Sequence, residues 1–296
     1  MKINKLRILP LLFLNMILLS GCGRLLNASV GTPVKEPETE NLGESISYEI
    51  TDIDRRTEST DETEIHLDQL AEGRQEAGLY TYEAGRLTIC KGGDYLISGK
   101  SDDCNLVIQS YDDEIVHLIF DGVELHAKEG PVLYGRQAGK IIVTLKENTE
   151  NVIYDSPEYA SDAEACIFSN CDLTINGGGR LNVYGYYHDA VRSKDRVRII
   201  GTDVYIRAKN NGIRGNDGVI IEESNVEAEC EGTGIRTNSD QGYVMVQGGT
   251  LKLTAGENAI YADSHVSIKD CRKDLYSVRE EIRCSGAVDI DEDSTK

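Results

Sequence analysis

Residues 173–183 read LTINGGGRLNV: an apolar-x-apolar triplet, a glycine-rich turn and a second apolar-x-apolar triplet. Alternation with a period of two marks a strand with one buried face. The same unit returns down the chain. Val197–Ile199 is followed by Val204–Ile206, Val219–Ile221 by Val226–Ala228, and Val244–Val246 by Leu251–Leu253, while Val266–Ile268 opens a further copy. The first triplets begin 24, 22, 25 and 22 residues apart. A third short segment closes each unit, at Ala190-Val191-Arg192, Gly212-Ile213-Arg214, Gly234-Ile235-Arg236 and Ala259-Ile260-Tyr261. Upstream, Leu87-Thr88-Ile89 echoes the start at Leu173, and Val116–Leu118 and Ile141–Val143 also read as strand starts.

A repeat of about 22–25 residues carrying three period-two strands predicts an all-β chain, a parallel β-helix of three-stranded coils. One coil cannot bury its own apolar face, whereas stacked coils bury a continuous one. Parallel crossovers prefer the right hand, so a right-handed helix is expected. The leucine-rich pattern L-x-x-L-x-L-x-x-N is absent, and the tight period argues against a sandwich or barrel. Roughly eight coils fit residues 79–273. Composition agrees: 29 Gly against 5 Pro, 3 Phe and no Trp suits short strands and tight turns better than a helical bundle.

The flanks are of another kind. Lys2, Lys5 and Arg7 precede a mainly apolar run, Ile8–Leu19, that is too short to span a membrane. Leu19-Ser20-Gly21-Cys22 then resembles a bacterial lipobox, which implies a signal peptide at 1–21 and lipidation at Cys22, with the mature chain anchored to a membrane outside the cytoplasm. Removing three cations takes the formal charge from -20 to -23. So acidic a chain is no nucleic-acid binder. Residues 22–78 are polar and acidic and read as a flexible tether, and 274–296 as an acidic tail. Of the 8 cysteines, Cys22 aside, seven remain. An odd number is no closed disulfide set, and no CxxC or Cys/His metal spacing occurs.

The segments Asp189-Ala190-Val191-Arg192-Ser193-Lys194-Asp195 and Asn211-Gly212-Ile213-Arg214-Gly215-Asn216-Asp217 resemble the D-G-I-x-[SG]-x-D repeats of the bacterial carbohydrate-binding domain-containing protein family. Residues 172–181 and 247–253 resemble it too. The likeness covers about two-thirds of the chain. It implies a secreted or lipid-anchored right-handed β-helix that binds polysaccharides such as cellulose or polygalacturonate, with bound calcium. The Asp of the repeat survives only as Asp189, with Asn211, Thr233 and Asn258 in the later copies. Asp189, Asp195, Asn211 and Asp217 are the candidate calcium ligands, since calcium takes six to eight oxygens.

Alternation assigns the remaining candidates. If Val191, Ile213, Ile235 and Ile260 point inward, an outward column reads Tyr134, Phe168, Arg192, Arg214, Arg236, Tyr261, one residue per rung at about 4.8 Å. Guanidinium suits bidentate carboxylate binding, and aromatic ends offer stacking surfaces for sugar rings. A solvated ladder neutralised by nearby aspartates is the bland alternative. Arg198, Ile220 and Met245 share another outward column. Three function classes stay open: a non-catalytic surface glycan binder for an acidic polysaccharide, a calcium-dependent β-helical polysaccharide lyase, and a structural or adhesive surface protein. Repetition favours binding, because a catalytic site breaks a repeat locally whereas a binding ladder does not.

Overall fold

The computed structural model describes residues 50–76 and 78–291. Cys22, the signal peptide at 1–21 and most of the expected tether lie outside the described residues. The described chain is a parallel β-solenoid of about eight turns with a single 3-10 turn, Leu67–Gln69. The register of its strands is the sequence repeat itself. Leu173 pairs with Val197, Val197 with Val219, Val219 with Val244 and Val244 with Val266. Upstream, Val116 pairs with Ile141 and Ile141 with Leu173. The coil from Ile141 to Leu173 is the long one, because an irregular loop, residues 156–164, separates the strands Glu150–Asp155 and Ala165–Ser169.

The coils present three faces. Strand Ile115–Ala127 turns a corner within one 16-stranded sheet: its first half pairs with Lys140–Leu145 and its second with Glu150–Asp155. The first face runs from Lys140–Leu145 through Leu173–Asn176, Arg196–Ile200, Gly218–Glu222 and Tyr243–Gln247 to Ala287–Ile290. The second runs from Glu150–Asp155 through Arg180–Gly185 and Asp203–Ala208 to Arg272–Ser277. The third is a separate 11-stranded sheet, which includes Leu133–Gln137, Ala165–Ser169, Asp189–Ser193, Ile213–Gly215, Ile235–Arg236 and Ile260–Ala262. Inward positions of all three faces form one cluster, in which Val191, Ile213, Ile235 and Ile260 are wholly buried. At its N-terminal end the third face is closed by antiparallel pairing of Arg74–Glu76, Tyr80–Glu83 and Arg86–Ile89.

Three local expectations change. Leu87 lies on the third face, where it pairs with Leu106, and so is not an equivalent of Leu173 on the first; an apolar-x-apolar triplet looks the same whichever face it joins. The solenoid also outruns the span 79–273 at both ends. Glu62–His66, inside the stretch read as tether, pairs with Gly93–Ser101, although Ile65 is its one deeply buried side chain. In the stretch read as tail, Arg272–Ser277, Ile282–Cys284 and Ala287–Ile290 complete another coil. Its pattern is masked because Lys273 occupies the inward register of Leu251, and Asp289 and Asp291 flank the apolar Ile290.

Residues 51–59 are not free tether either. They cross the outer side of the first face as a strap. The Asp54 carboxylate, wholly buried, accepts from Lys140 Nζ at 2.7 Å and Thr174 Oγ1 at 2.6 Å and lies 3.9 Å from Arg198 Nε. Asn176 donates to the carbonyls of Asp54 and Arg56, Arg55 pairs with Glu222, and Arg56 with Asp94. Burial pushes the Asp54 carboxyl up, but Lys140, Thr174 and Thr51 together outweigh it and hold the group well below the usual carboxylate range. On this face Arg198 and Ile220 are therefore covered, not presented to a partner.

Candidate functional site

On the third face the register runs Val107, Tyr134, Phe168, Arg192, Arg214, Arg236, Tyr261, Arg283, each the partner of the next. All six residues expected in the outward column thus stand on successive rungs. Arg283 extends it by one; its Ile282-Arg283 pair repeats Ile213-Arg214 and Ile235-Arg236, and that was the available signal.

Rings flank the cations of the column at both ends. Tyr134 meets Phe168 edge-on at 5.6 Å. The Arg192 guanidinium lies 5.3 Å from the Phe168 ring centre, and those of Arg236 and Arg283 lie 5.0 and 5.7 Å from that of Tyr261. Such cation–π contacts use the negative ring face and leave the guanidinium edge free to donate. Phe168 itself is covered, at 2% exposure, by Tyr134 and by Ala163 and Ala165 beside the 156–164 loop. It supports the column and offers no surface to a sugar.

The cations are only partly compensated. Arg192 Nη1 is 3.4 Å from Glu164, and Arg214 Nη1 is 3.7 Å from Asp189. Burial lowers the Arg214 pKa, Arg192 and Arg236 lower it further, and Asp189 opposes them. Four guanidinium groups on one column, with no carboxylate in it, form a cationic stripe on a chain of net charge -20.

The four candidate calcium ligands do not converge. Asp189 starts its strand and Asp195 follows its end, roughly 20 Å away at 3.3 Å per residue. Asp189 and Asn211 belong to a buried corner ladder with Thr233 and Asn258. Asp189 Oδ1 accepts from the Asn211 backbone N at 3.0 Å and Nδ2 at 2.8 Å, and Asn211 Oδ1 accepts from Thr233 N at 3.1 Å. Each side chain in effect caps the corner of the next coil. The glycine after it allows close approach: a Cβ on Gly212 would lie 2.6 Å from the Gly234 carbonyl oxygen. Burial raises the Asp189 pKa, but His188 at 3.1 Å and the Asn211 donors outweigh it and keep the carboxylate charged. With His188 at 3.1 Å and Arg214 Nη1 at 3.7 Å, that carboxylate already has side-chain partners of its own. Asp195 is pushed up by burial and by Asp172 and Asp217. Among the described residues no group of three or more His, Cys, Asp or Glu side chains gathers as a metal site. The set does not fit one calcium ion.

Below the column the 156–164 loop is fastened. Tyr159 Oη donates to Asp155 Oδ2 at 2.9 Å and its ring lies 4.0 Å from Tyr187, while Tyr186 N donates to Asp155 Oδ1 at 2.6 Å. Asp155 is not among the residues singled out from the sequence, because its role depends on a loop that breaks the repeat.

The fold and this column define a class: parallel β-solenoids that carry one cationic, ring-flanked face. Comparison with known proteins gives the family. A family model described as "Carbohydrate-binding domain-containing protein" matches residues 83–295, and the chain belongs to that family. A curated protein of the same description from Acetivibrio thermocellus is 27% identical over 214 residues, covering 69% of this chain and 75% of the relative. A solved structure described as the polysaccharide lyase-like protein from C. thermocellum, a gadolinium derivative, superposes with a TM-score of 0.72 at 25% identity, covering 77% of this chain and 96% of the other.

Proposed function

We propose that the chain is a non-catalytic binder of an acidic polysaccharide, laid along the third face over Tyr134, Arg192, Arg214, Arg236 and Tyr261. The observation that carries this is the register of Arg192, Arg214 and Arg236 on consecutive rungs. A regular polymer of carboxylates meets a ladder of cations at about 4.8 Å spacing. Each exposed contact is weak, so affinity comes from several rungs acting at once. The net negative charge repels a polyanion at long range, but that repulsion is screened beyond about 8 Å at physiological salt. Family membership supports a carbohydrate ligand. The Leu19-Ser20-Gly21-Cys22 sequence supports attachment to a membrane through lipidated Cys22. Binding of fluorescent polygalacturonate, measured by anisotropy against a neutral glucan, tests the reading; equal or absent binding of both overturns it.

A polysaccharide lyase is the second reading, favoured by the description of the structural relative and by Arg214, which burial and its cationic neighbours push toward the neutral form. Incubating the same sample with polygalacturonate decides between them, since a lyase releases unsaturated, ultraviolet-absorbing products and a binder releases none.

A further inference from the structure

The third face is flat over the arginine column but not beyond Tyr134. There two loops rise from it and enclose a cleft of about 220 Å³ whose lining includes Arg86, Asn105, Glu129, Tyr134, Arg136 and Ser161. That is smaller than the roughly 300–1,000 Å³ of pockets that take whole drug-sized ligands, and suits a single ring.

Both walls are built. Asn105 Nδ2 donates to the carbonyls of Glu129 at 2.7 Å and Pro131 at 2.8 Å, which pins the first loop. Gly130 between them has φ +71°, the left-handed region that favours glycine. The second wall carries Ala160 and Ser161 and is fastened by Tyr159 to Asp155 and by Ala163 N donating to Ser161 Oγ at 3.1 Å. Tyr134 is shared between the cleft and the column. Arg136 lies with its guanidinium 5.0 Å from the Tyr134 ring centre. Arg86 stands at the opposite corner, two rungs back on strand Arg86–Ile89. Among the described residues neither arginine forms an ion pair, whereas most lysines on the other faces do. Glu129 is the one acidic side chain in the lining.

We infer that this cleft is a subsite of its own, holding one uronic-acid ring of the polymer against Tyr134, with Arg136 and Arg86 donating to its carboxylate. The inference rests on the acidic-polysaccharide reading and adds a place where the chain is gripped, in contrast to the flat column where it only lies. The walls supply what the column lacks, a fixed orientation for one sugar. Both arginines are exposed, so their replacement leaves the core intact.

The test is a length series. Galacturonic acid oligomers, from the monomer upward, are titrated into the parent, into Arg86→Gln/Arg136→Gln, and into Arg192→Gln/Arg214→Gln/Arg236→Gln. The double variant is expected to lose about tenfold in affinity for the long oligomers, roughly 1.4 kcal/mol, and to reach its plateau at a shorter length. An unchanged plateau and affinity in the double variant, with binding lost in the triple variant, overturns the cleft and leaves the column standing. Undiminished binding in the triple variant overturns the column reading itself. Binding of the monomer by the parent with the same affinity as long oligomers shows a site for free uronate and overturns the polymer subsite.

Discussion

Phe168 and Arg192 stand one rung apart on the third face, the guanidinium 5.3 Å from the ring centre, and the ring is buried beneath it. An aromatic residue expected to meet a sugar instead holds the first cation of the column in place. The side chains of this column are thus of two kinds: Phe168 is a covered support, whereas Arg192, Arg214 and Arg236 stay partly exposed.

Replacing Arg192, Arg214 and Arg236 together by glutamine is expected to abolish polygalacturonate binding in an anisotropy titration, with Tm lowered by no more than a few degrees. Glutamine is chosen because it keeps a donor near the buried Asp189. Retained binding would show the stripe to be a solvated ladder.

Ile213→Asp places an unpaired carboxylate in the sealed interior and should cost several kcal/mol. Arg214→Gln, one residue later, should cost about 1 kcal/mol, because the Arg214 side chain is mostly covered and neighbours Asp189. Thermal melts in the opposite order would mean that the faces are reversed.

Asp54→Ala strands Lys140 without its buried carboxylate, while Arg198 keeps Asp172 at 3.0 Å. Removing one partner of such a set costs about 3–5 kcal/mol, and the strap should become a site of early cleavage in limited proteolysis. Because the Asp54 pKa is depressed in the fold, its contribution is present above the ordinary carboxylate pKa and is lost as pH falls below it. The parent should therefore lose more stability than Asp54→Ala on acidification below about pH 4.

Asp155 titrates the other way. Burial raises its carboxyl to about 6, against the hydrogen bonds from Tyr159 and the 186–187 backbone. Between the ordinary carboxylate value and about 6 the folded chain holds a proton that the unfolded chain releases. Stability from this group is full at low pH and disappears as pH rises through about 6. Tm measured from pH 7 to pH 5 should rise less in Asp155→Asn than in the parent; identical slopes would refute the assignment.

On the proposed lipoprotein reading, in which the Cys22 thiol is the acylation point, Cys22→Ala should release the protein from membranes in detergent-phase partitioning. Unaltered partitioning would remove the lipoprotein reading.

Much of this was legible beforehand because a solenoid converts sequence spacing directly into spatial register. The position of Arg214 beside Arg192 and Arg236 follows from a 22-residue period and from nothing else. What breaks the period stayed hidden. The 156–164 loop, Asp155 beneath it and the cleft beside Tyr134 arise where one coil is longer than its neighbours. The strap at 51–59 has no apolar repeat at all, because it is held by Asp54, Arg55 and Arg56 through polar contacts to distant strands. Asp189 and Asn211 read as candidate metal ligands because an oxygen donor in a turn looks the same in sequence whether it faces a cation or a backbone N–H, and here each accepts from a backbone N–H of the next coil.

The strap also settles how the solenoid is held. It runs along the axis across the flank, touching strands that carry Lys140, Thr174, Arg198 and Glu222 on successive rungs. A pull through residue 50 directed along that axis loads all of these contacts together, as in shear, whereas a pull away from the surface opens them one at a time.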